Sequence, residues 1–564
     1  MANVETSVRK RPRVLVLGFD AATFWLIDPW VQEGKLPNFR RLMEGGVRGP
    51  LASTIPYVSG PAWVSFATGV NPGKHGVFDF ARRERGGYGI QLVNARDIRY
   101  PTIWTLLSEA GLRVGALNCP VTYPPRPVNG FMVGGMLTPS LKSDFTYPRE
   151  LKEELLRAVP EYLIEAAETS PDREETKHAV ARNVRVGTEA RAEATRFLMQ
   201  WLGDWDLFVV VYSETDRVMT YLWDDMDPNH PAHDPRLAAR YGGEILHHYQ
   251  QLDAILGETM DRVVDERTTL LVVSDHGFGG VYRFFYPNRW LEAEGYLTLK
   301  RGGVSTGLVH GAKDLLRRLG VAHTAKRALQ ALFPGWGFTS QLRQFTFARD
   351  VDWSRTRAFW AADNGITINL AGREPEGIVQ PGREYEALCD EIAARLLDLR
   401  DPANGERVVA AVHRREGLYT GPYVDESPDL RVVWQEYPEE RRTHFSAGEL
   451  WGEAMFGPAG QTGDHCYHGI FLAWGHGVRQ GGTVEGAHIM DLAPTILWLL
   501  GQPVLDDMDG RVLTEAFAPD FVARRPVQRR ERGGAPPGPE DLAGFTDEES
   551  EAVRERLRGL GYLS

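Results

Sequence analysis

TLLVVSDHG, residues 269–277, runs four aliphatic residues, Leu270 to Val273, straight into Ser, Asp, His and Gly. An aliphatic run without polar alternation predicts a strand buried on both faces, as in a parallel sheet. The abrupt polar ending predicts that Asp275 and His276 stand at the carboxyl end of that strand. RVLVLGFD (13–20), LFVVVYSETD (207–216) and GIFLAWG (469–475) have the same form. Helical patterns fall between these runs. PNFRRLMEGG (37–46) opens on Pro and stops at Gly, IWTLLSEAGLRVGALNCPV (103–121) reads as helix, Gly turn and strand, and DLAPTILWLLG (491–501) closes on Gly. The alternation predicts an α/β fold: a largely parallel, doubly wound sheet with helices on both faces and ligands at the carboxyl ends of its strands.

The 564 residues carry a net charge of −12, which argues against a nucleic-acid scaffold or a general affinity for anionic membranes. Cys119, Cys389 and Cys466 are far apart and odd in number, so no disulfide framework is expected. The N-terminal apolar run VLVLGF is too short for a signal peptide or a membrane span, and a cytoplasmic protein is expected. Four regions are expected. Residues 10–290 form the first part of the core and 291–345 a basic helical insertion. Residues 346–515 combine cap elements with the rest of the core, and 516–564 comprise a linker and a docking helix. Between 301 and 345, seven cations (Arg301, Lys313, Arg317, Arg318, Lys326, Arg327, Arg343) face one acid, Asp314. This segment reads as a solvated insertion or as a cationic lid over an anionic substrate. Thr546 and Glu549 have capping-box spacing, and the helix they open is expected to dock through Leu557, Leu560, Tyr562 and Leu563.

Asp20 closes the first apolar run, Asp216 follows the second, Asp275 and His276 end the third, and His465 precedes the fourth. Singly, each has a plain explanation, since an Asp at a strand end commonly caps the next helix. Jointly they converge on one crevice, where three carboxylates repel unless cations neutralise them. Mixed Asp and His donors suit zinc, or manganese if oxygen donors dominate. Two such ions about 4 Å apart fit phosphoryl chemistry. YVSGPAWVSFATG (57–69) supplies three hydroxyls: Ser59, Ser65 and Thr68. With Pro61 in the first turn, Ser59 sits at a helix start, where exposed N–H groups attract a phosphoryl group. Ser65 and Thr68 lie further down the helix and cannot share that position.

GFD, SGPAW…TG…PGKHG, ETDR, SDHG, GDHCYHGIF and DLAPTILWLLG…DMDGR follow one another in an order and spacing that resembles the alkaline phosphatase superfamily, within it the type I phosphodiesterase/nucleotide pyrophosphatase branch. The resemblance implies an alkaline-phosphatase-like core with a cap, and Ser59 as nucleophile. One divalent ion would be held by Asp20, Ser59, Asp275 and His276. A second would be held by an Asp, a His four residues later and a C-terminal His; here these positions are Asp216, Thr220 and His465. Threonine is a poorer ligand than imidazole, so the second site is expected to be weakened but occupied, with His230, His233 or His468 as possible substitutes. The resemblance also implies a phosphate-binding Asn 21 residues after the nucleophile, where this chain has Phe80. His75 reads as a catalytic or a loop-holding residue, and Arg217 as a phosphate contact or a brace for Asp216. The expected activity is metal-dependent hydrolysis of a small-molecule phosphate mono- or diester through a Ser59 phosphoryl-enzyme. The alternatives are a phosphomutase or phospho-group transferase, or a non-catalytic binding protein. A sulfatase ranks low, because Ser59 is followed by Gly-Pro-Ala-Trp without the Arg of the sulfatase motif.

Overall fold

Arg13–Phe19 (β1) alternates its side chains between two hydrophobic cores, and the sheet is built around it. Val14 and Val16 enter one core, and Leu15, Leu17 and Phe19 the other. The neighbouring strands Leu207–Tyr212 (β6) and Thr268–Val273 (β7) do the same and pair with β1 in parallel, Val14 lying opposite Leu207 and Thr269. The uninterrupted aliphatic runs thus meet helices on both faces, as an α/β sheet requires. The computed structural model describes residues 11–84, 86–166, 172–300, 348–361, 364–443, 454–458, 461–533 and 544–559. The basic segment 301–345 and the docking residues Leu560, Tyr562 and Leu563 lie outside the described residues.

The remaining strands of this nine-stranded sheet are Val47–Ala52 (β2), Val114–Cys119 (β3), Gly130–Gly134 (β4), Thr146–Tyr147 (β5), His468–Gly475 (β10) and Ala487–His488 (β11). Their spatial order is β11-β2-β10-β7-β1-β6-β3-β4-β5. From β7 to β4 every pairing is parallel; β10 enters antiparallel beside β7, Phe471 opposite Val273. Two short strands extend the chain beyond the sheet's carboxyl edge. Gly277–Val281 (β8) pairs antiparallel with Gly463–Cys466 (β9), placing Phe278 opposite His465. This pairing brings His465 beside His276 although the whole cap lies between them in sequence.

The cap has its own antiparallel sheet, with Ala358–Ala361, Gly365–Ile368, Leu430–Trp434 and Val409–Arg414 in that spatial order. Helix Arg383–Leu397 carries Leu388, Cys389, Ile392 and Leu396 into the same core as Trp353, Phe359, Trp360 and Leu430. At the C-terminus, part of the expected linker packs on the main core. Helix Pro519–Ala523 lays Phe521 against Trp498 and Phe517, and Arg529–Arg530 pairs with Val504–Leu505. Three large aromatics in contact outweigh the Pro- and Arg-rich composition that suggested a free segment. The terminal helix Asp547–Gly559 opens with the anticipated capping box. Thr546 N–H donates to Glu549 Oε2 at 3.0 Å, and Glu549 N–H to Thr546 Oγ1 at 3.2 Å. Its Val553 and Leu557 are buried against Val58, Val121 and Met136.

Asp429 joins the cap's sheet to its helix. Buried, it accepts hydrogen bonds from Arg373 Nη1 and Nη2 at 2.6 Å each, the Ile368 N–H at 2.7 Å and the Tyr385 hydroxyl at 2.9 Å. Burial opposes its charge, but Arg373 and Arg415 outweigh it and hold the carboxyl below the usual range. Removing that charge strands guanidinium groups in the cap. Asp429→Asn is expected to lower stability at pH 7 by roughly 3–5 kcal/mol in urea unfolding. A depressed folded-state pKa contributes stability above the unfolded value of about 3.9 and loses it as pH falls through the folded value. The gap between parent and variant should therefore close on acidification, and a gap that stays constant down to the acid transition would exclude Asp429 as its source.

Candidate active site

The nucleophile candidate heads helix Ser59–Thr68 (α1). Val58 is extended at the cap and Gly69 closes the helix at φ 72°, in the left-handed region glycine favours. The helix begins at Ser59 itself, so the hydroxyl lies in the first turn among N–H groups without intrahelical partners. The other two hydroxyls are occupied: Ser65 Oγ is 3.0 Å from His75 Nε2, and Thr68 donates to the Val64 carbonyl at 2.7 Å. His75 Nδ1 accepts the Val77 N–H, and burial pushes this imidazole down to about 3.

Asp20, directly after β1, and Asp275 and His276, separated from the end of β7 by one residue, meet Ser59 at the sheet's edge. Ser59 Oγ lies 3.4 Å from Asp20 Oδ1 and 3.2 Å from His276 Nε2. His276 Nε2 is 3.2 Å from Asp275 Oδ2, and the Ala21 N–H donates to Asp275 Oδ1 at 3.2 Å. Two glycines in the motifs keep this packing open. A Cβ on Gly18 would come within 2.4 Å of Trp63, whose Nε1 donates to Asp20 Oδ2 at 3.3 Å. A Cβ on Gly277 would come within 2.2 Å of the His468 carbonyl on β10.

Asp216 comes from helix Glu214–Met226, after β6. His465 Nε2 is 3.0 Å from Asp216 Oδ2, its Nδ1 faces the Tyr57 carbonyl at 3.0 Å, and its ring stacks on His276 at 3.8 Å. Arg217 Nη1 donates to Asp216 Oδ1 at 2.8 Å and its Nε to Glu165 Oε2 at 3.2 Å, so Arg217 braces the aspartate. Thr220 Oγ1 turns back on Asp216, 3.0 Å from its carbonyl and 3.2 Å from Oδ1. Of the six predicted ligands only His465 reaches solvent, with 11% of its side chain exposed.

The proposed histidine substitutes are used elsewhere. His230 Nε2 faces the Val281 carbonyl at 2.9 Å, and His233 Nδ1 the Asp224 carbonyl at 2.7 Å. His468 is exposed on β10, its ring against Tyr467. Phe80 is fully buried and packs against Gly60, where a Cβ would stand 3.1 Å from its ring. Sequence reasoning missed Trp63 and Glu165. Trp63 stood inside the quoted SGPAW, whereas Glu165 is an isolated acid with no pattern around it.

Electrostatics divides the centre in two. Burial, with repulsion from Asp275 and Asp216, raises the Asp20 carboxyl well above its usual range, and burial lifts Asp275 to about 6. Burial and the neighbouring His465 push His276 well below its ordinary value, keeping it neutral. On the other side burial opposes the charge on Asp216, but Arg217 and His465 outweigh it and depress the carboxyl; burial likewise opposes the charge on His465, and Asp216 outweighs it. Among the described residues two groups of donors lie close enough to share a cation: Asp20, Asp275 and His276, and Asp216, His276 and His465. Asp275 Oδ2 is buried without a hydrogen-bond partner. A neutral imidazole nitrogen facing two repelling carboxylates, one oxygen of them orphaned among the described residues, fits a divalent cation.

Such a centre on such a sheet is that of the alkaline phosphatase superfamily of phosphoric ester hydrolases. The chain belongs to the type I phosphodiesterase / nucleotide pyrophosphatase family, whose sequence profile matches residues 14–437. The match takes in Asp20, Ser59, Asp216, Asp275 and His276; His465 lies beyond it. Among solved structures, a phosphonoacetate hydrolase from Sinorhizobium meliloti 1021 in complex with phosphonoformate is similar at 15% identity and a TM-score of 0.50, over 87% of this chain and 95% of that one. Murine ectonucleotide pyrophosphatase / phosphodiesterase 5, an inactive variant in complex with AMP, is similar at 15% identity and a TM-score of 0.48, over 90% of this chain and 100% of that one. Wild-type alkaline phosphatase PafA is similar at 13% identity and a TM-score of 0.48, over 90% and 99% of the two chains. No curated protein sequence matches the chain. No helix among the described residues is long and apolar enough to cross a membrane.

The burial of Asp275 has a measurable signature in chelator-treated protein. A folded-state pKa of about 6 for Asp275 means that the folded protein holds a proton there that the unfolded chain releases near 4. The stability contributed by that proton is present at low pH and lost as pH rises through about 6, on the order of 3 kcal/mol. Asp275→Asn should therefore gain on the chelated parent between pH 4 and 7 in thermal unfolding. Added zinc at pH 7.5 should stabilise the parent more than the variant. An identical pH response in both proteins would show that Asp275 is not the buried charge at issue.

Proposed function

We propose that the protein hydrolyses a small phosphate ester by transferring the phosphoryl group to Ser59 and then to water. The observation carrying this reading is the position of Ser59 Oγ: in the first turn of α1, 3.2 Å from His276 Nε2 and 3.4 Å from Asp20 Oδ1. In the first step the Ser59 Oγ–phosphorus bond forms, the ester P–O bond breaks, and the alcohol leaves with a proton. In the second, a water oxygen replaces Ser59 on phosphorus and Ser59 recovers its proton. The N–H groups of the first turn of α1 bind and orient the phosphoryl oxygens. Trp63 holds Asp20 in place through its indole N–H. A divalent ion held by Asp20, Ser59, Asp275 and His276 would offset the negative charge of the phosphoryl group and favour ionised Ser59.

The substrate class is narrowed at Phe80. The nucleotide pyrophosphatase pattern has an amide side chain there, whereas this chain has a phenyl ring packed on Gly60, and the Phe80 N–H is taken by Asp79 Oδ1 at 2.7 Å. An aromatic ring donates no hydrogen bond to phosphate, which favours a non-nucleotide ester.

Turnover of p-nitrophenyl phosphate and bis-p-nitrophenyl phosphate, with zinc or manganese supplied, tests the reading. Ser59→Ala is expected to lower kcat by roughly 10³-fold or more, while Ser65→Ala stays within about tenfold of the parent. Equal rates in the parent and Ser59→Ala would remove Ser59 as nucleophile. The ratio of the two parent rates assigns monoester or diester preference.

A further inference from the structure

The Asp216 side of the centre offers fewer donors than the Asp20 side. His276 has one nitrogen to give: Nδ1 is turned onto the Gly277 carbonyl at 3.1 Å, and Nε2 faces Ser59 Oγ and Asp275 Oδ2, each at 3.2 Å. That nitrogen belongs with Asp20 and Asp275, which among the described residues leaves Asp216 Oδ2 and His465 Nε2, 3.0 Å apart, for any second ion. Position 220 is one helical turn after Asp216 and faces the same way. Its hydroxyl is turned back on Asp216, 3.0 Å from the carbonyl and 3.2 Å from Oδ1. Two protein ligands are fewer than the three that catalytic zinc sites keep.

A cation already stands on this side. Arg217 Nη1 donates to Asp216 Oδ1 at 2.8 Å, its Nε is fixed by Glu165 Oε2 at 3.2 Å, and both side chains are buried. A guanidinium cannot shed its proton in a protein, so this charge is permanent. A dication on the other oxygen of the same carboxylate would meet it at close range in a poorly screened interior. The neighbouring ion pair, Arg191 Nη2 to Glu214 Oε1 at 2.9 Å, is wholly buried.

We propose that the centre holds one resident divalent ion, on Asp20, Ser59, Asp275 and His276, and that Arg217 supplies the positive charge on the Asp216 side. The inference rests on the metal-dependent reading above and replaces the two-ion expectation drawn from the sequence. Its consequence is a centre with one exchangeable charge and one built into the chain, so chelation empties half of it and leaves Asp216 neutralised.

The full chain, stripped by chelator and titrated with zinc chloride and separately with manganese chloride, is read by plasma mass spectrometry and calorimetry as ions bound per chain. One ion is expected for the parent and for Asp216→Asn, and none for Asp275→Asn. The double variant Thr220→His/Arg217→Ala restores a third ligand and removes the fixed cation, and its ratio is expected to rise from one to two. Two tightly held ions in the parent would overturn the proposal while leaving metal-dependent hydrolysis intact. No ion in the parent would overturn both. A folded double variant that stays at one ion would remove Arg217 from its assigned role. If circular dichroism shows that variant unfolded, the counts for the parent and the two single variants decide the matter.

Discussion

Three carboxylates, Asp20, Asp216 and Asp275, are fully buried at the ends of adjacent parallel strands, and the centre is organised around the cost of holding them there. Removing a carboxylate from water costs several kcal/mol even after relaxation, and like charges at short range add to that. The protein answers differently on its two sides. Asp216 is flanked by Arg217, Thr220 and His465, which satisfy it from within the chain. Among the described residues, Asp20 and Asp275 have indole, serine and backbone donors but no side-chain cation bonded to either, and one Asp275 oxygen has no donor. The first arrangement is satisfied by side chains, whereas the second leaves a buried carboxylate oxygen without a donor among the described residues.

The scaffold can sustain that cost because the charged edge sits on two large cores. Alternate residues of β1, β6 and β7 feed opposite cores, so the three strand ends cannot separate without disturbing both faces of the sheet. His465 is tied to the same frame by a different route. The β8–β9 pairing sets Phe278 opposite His465, and β10 then returns beside β7. The cap is inserted between β8 and β9 and has a core of its own, centred on Trp353, Phe359 and Leu430. The packing of the cap is therefore separate from the two cores that carry the sheet.

Much of this was legible in the sequence because the signals were local. Uninterrupted aliphatic runs marked the central strands, and the polar residues ending them marked the centre, since strand ends converge in a parallel sheet. Ser59 stood out from Ser65 and Thr68 through Pro61, helix geometry and the distant Asp20, Asp275 and His276, and the structure engages the other two hydroxyls with His75 and Val64. Non-local contacts were harder to read. Arg217 reads two ways in the sequence because Glu165, which holds its other edge, lies more than fifty residues earlier. The Arg- and Pro-rich stretch after Phe517 suggested a linker by composition, while the contact that folds it back depends on Trp498. Segment 301–345, the strongest charge anomaly in the chain, lies outside the described residues.

The motif glycines connect these levels. Gly18 precedes Asp20 by two residues because Trp63 occupies the space a Cβ would need, and Trp63 in turn orients the Asp20 carboxylate. Gly277 follows His276 because the His468 carbonyl lies against it, bringing β10 and the chain from His465 close to the sheet edge. The GFD, SGPAW and SDHG segments are thus parts of one packing solution, in which glycine allows the approach that brings acid, hydroxyl and imidazole within reach of one another. Thr220 departs from that pattern in chemistry and leaves its geometry intact. The helix still presents position 220 beside Asp216, but the side chain there bonds to the aspartate and Arg217 supplies the charge. Under the proposed one-ion centre, the same frame would hold a dissociable cation on one side and a covalently attached one on the other.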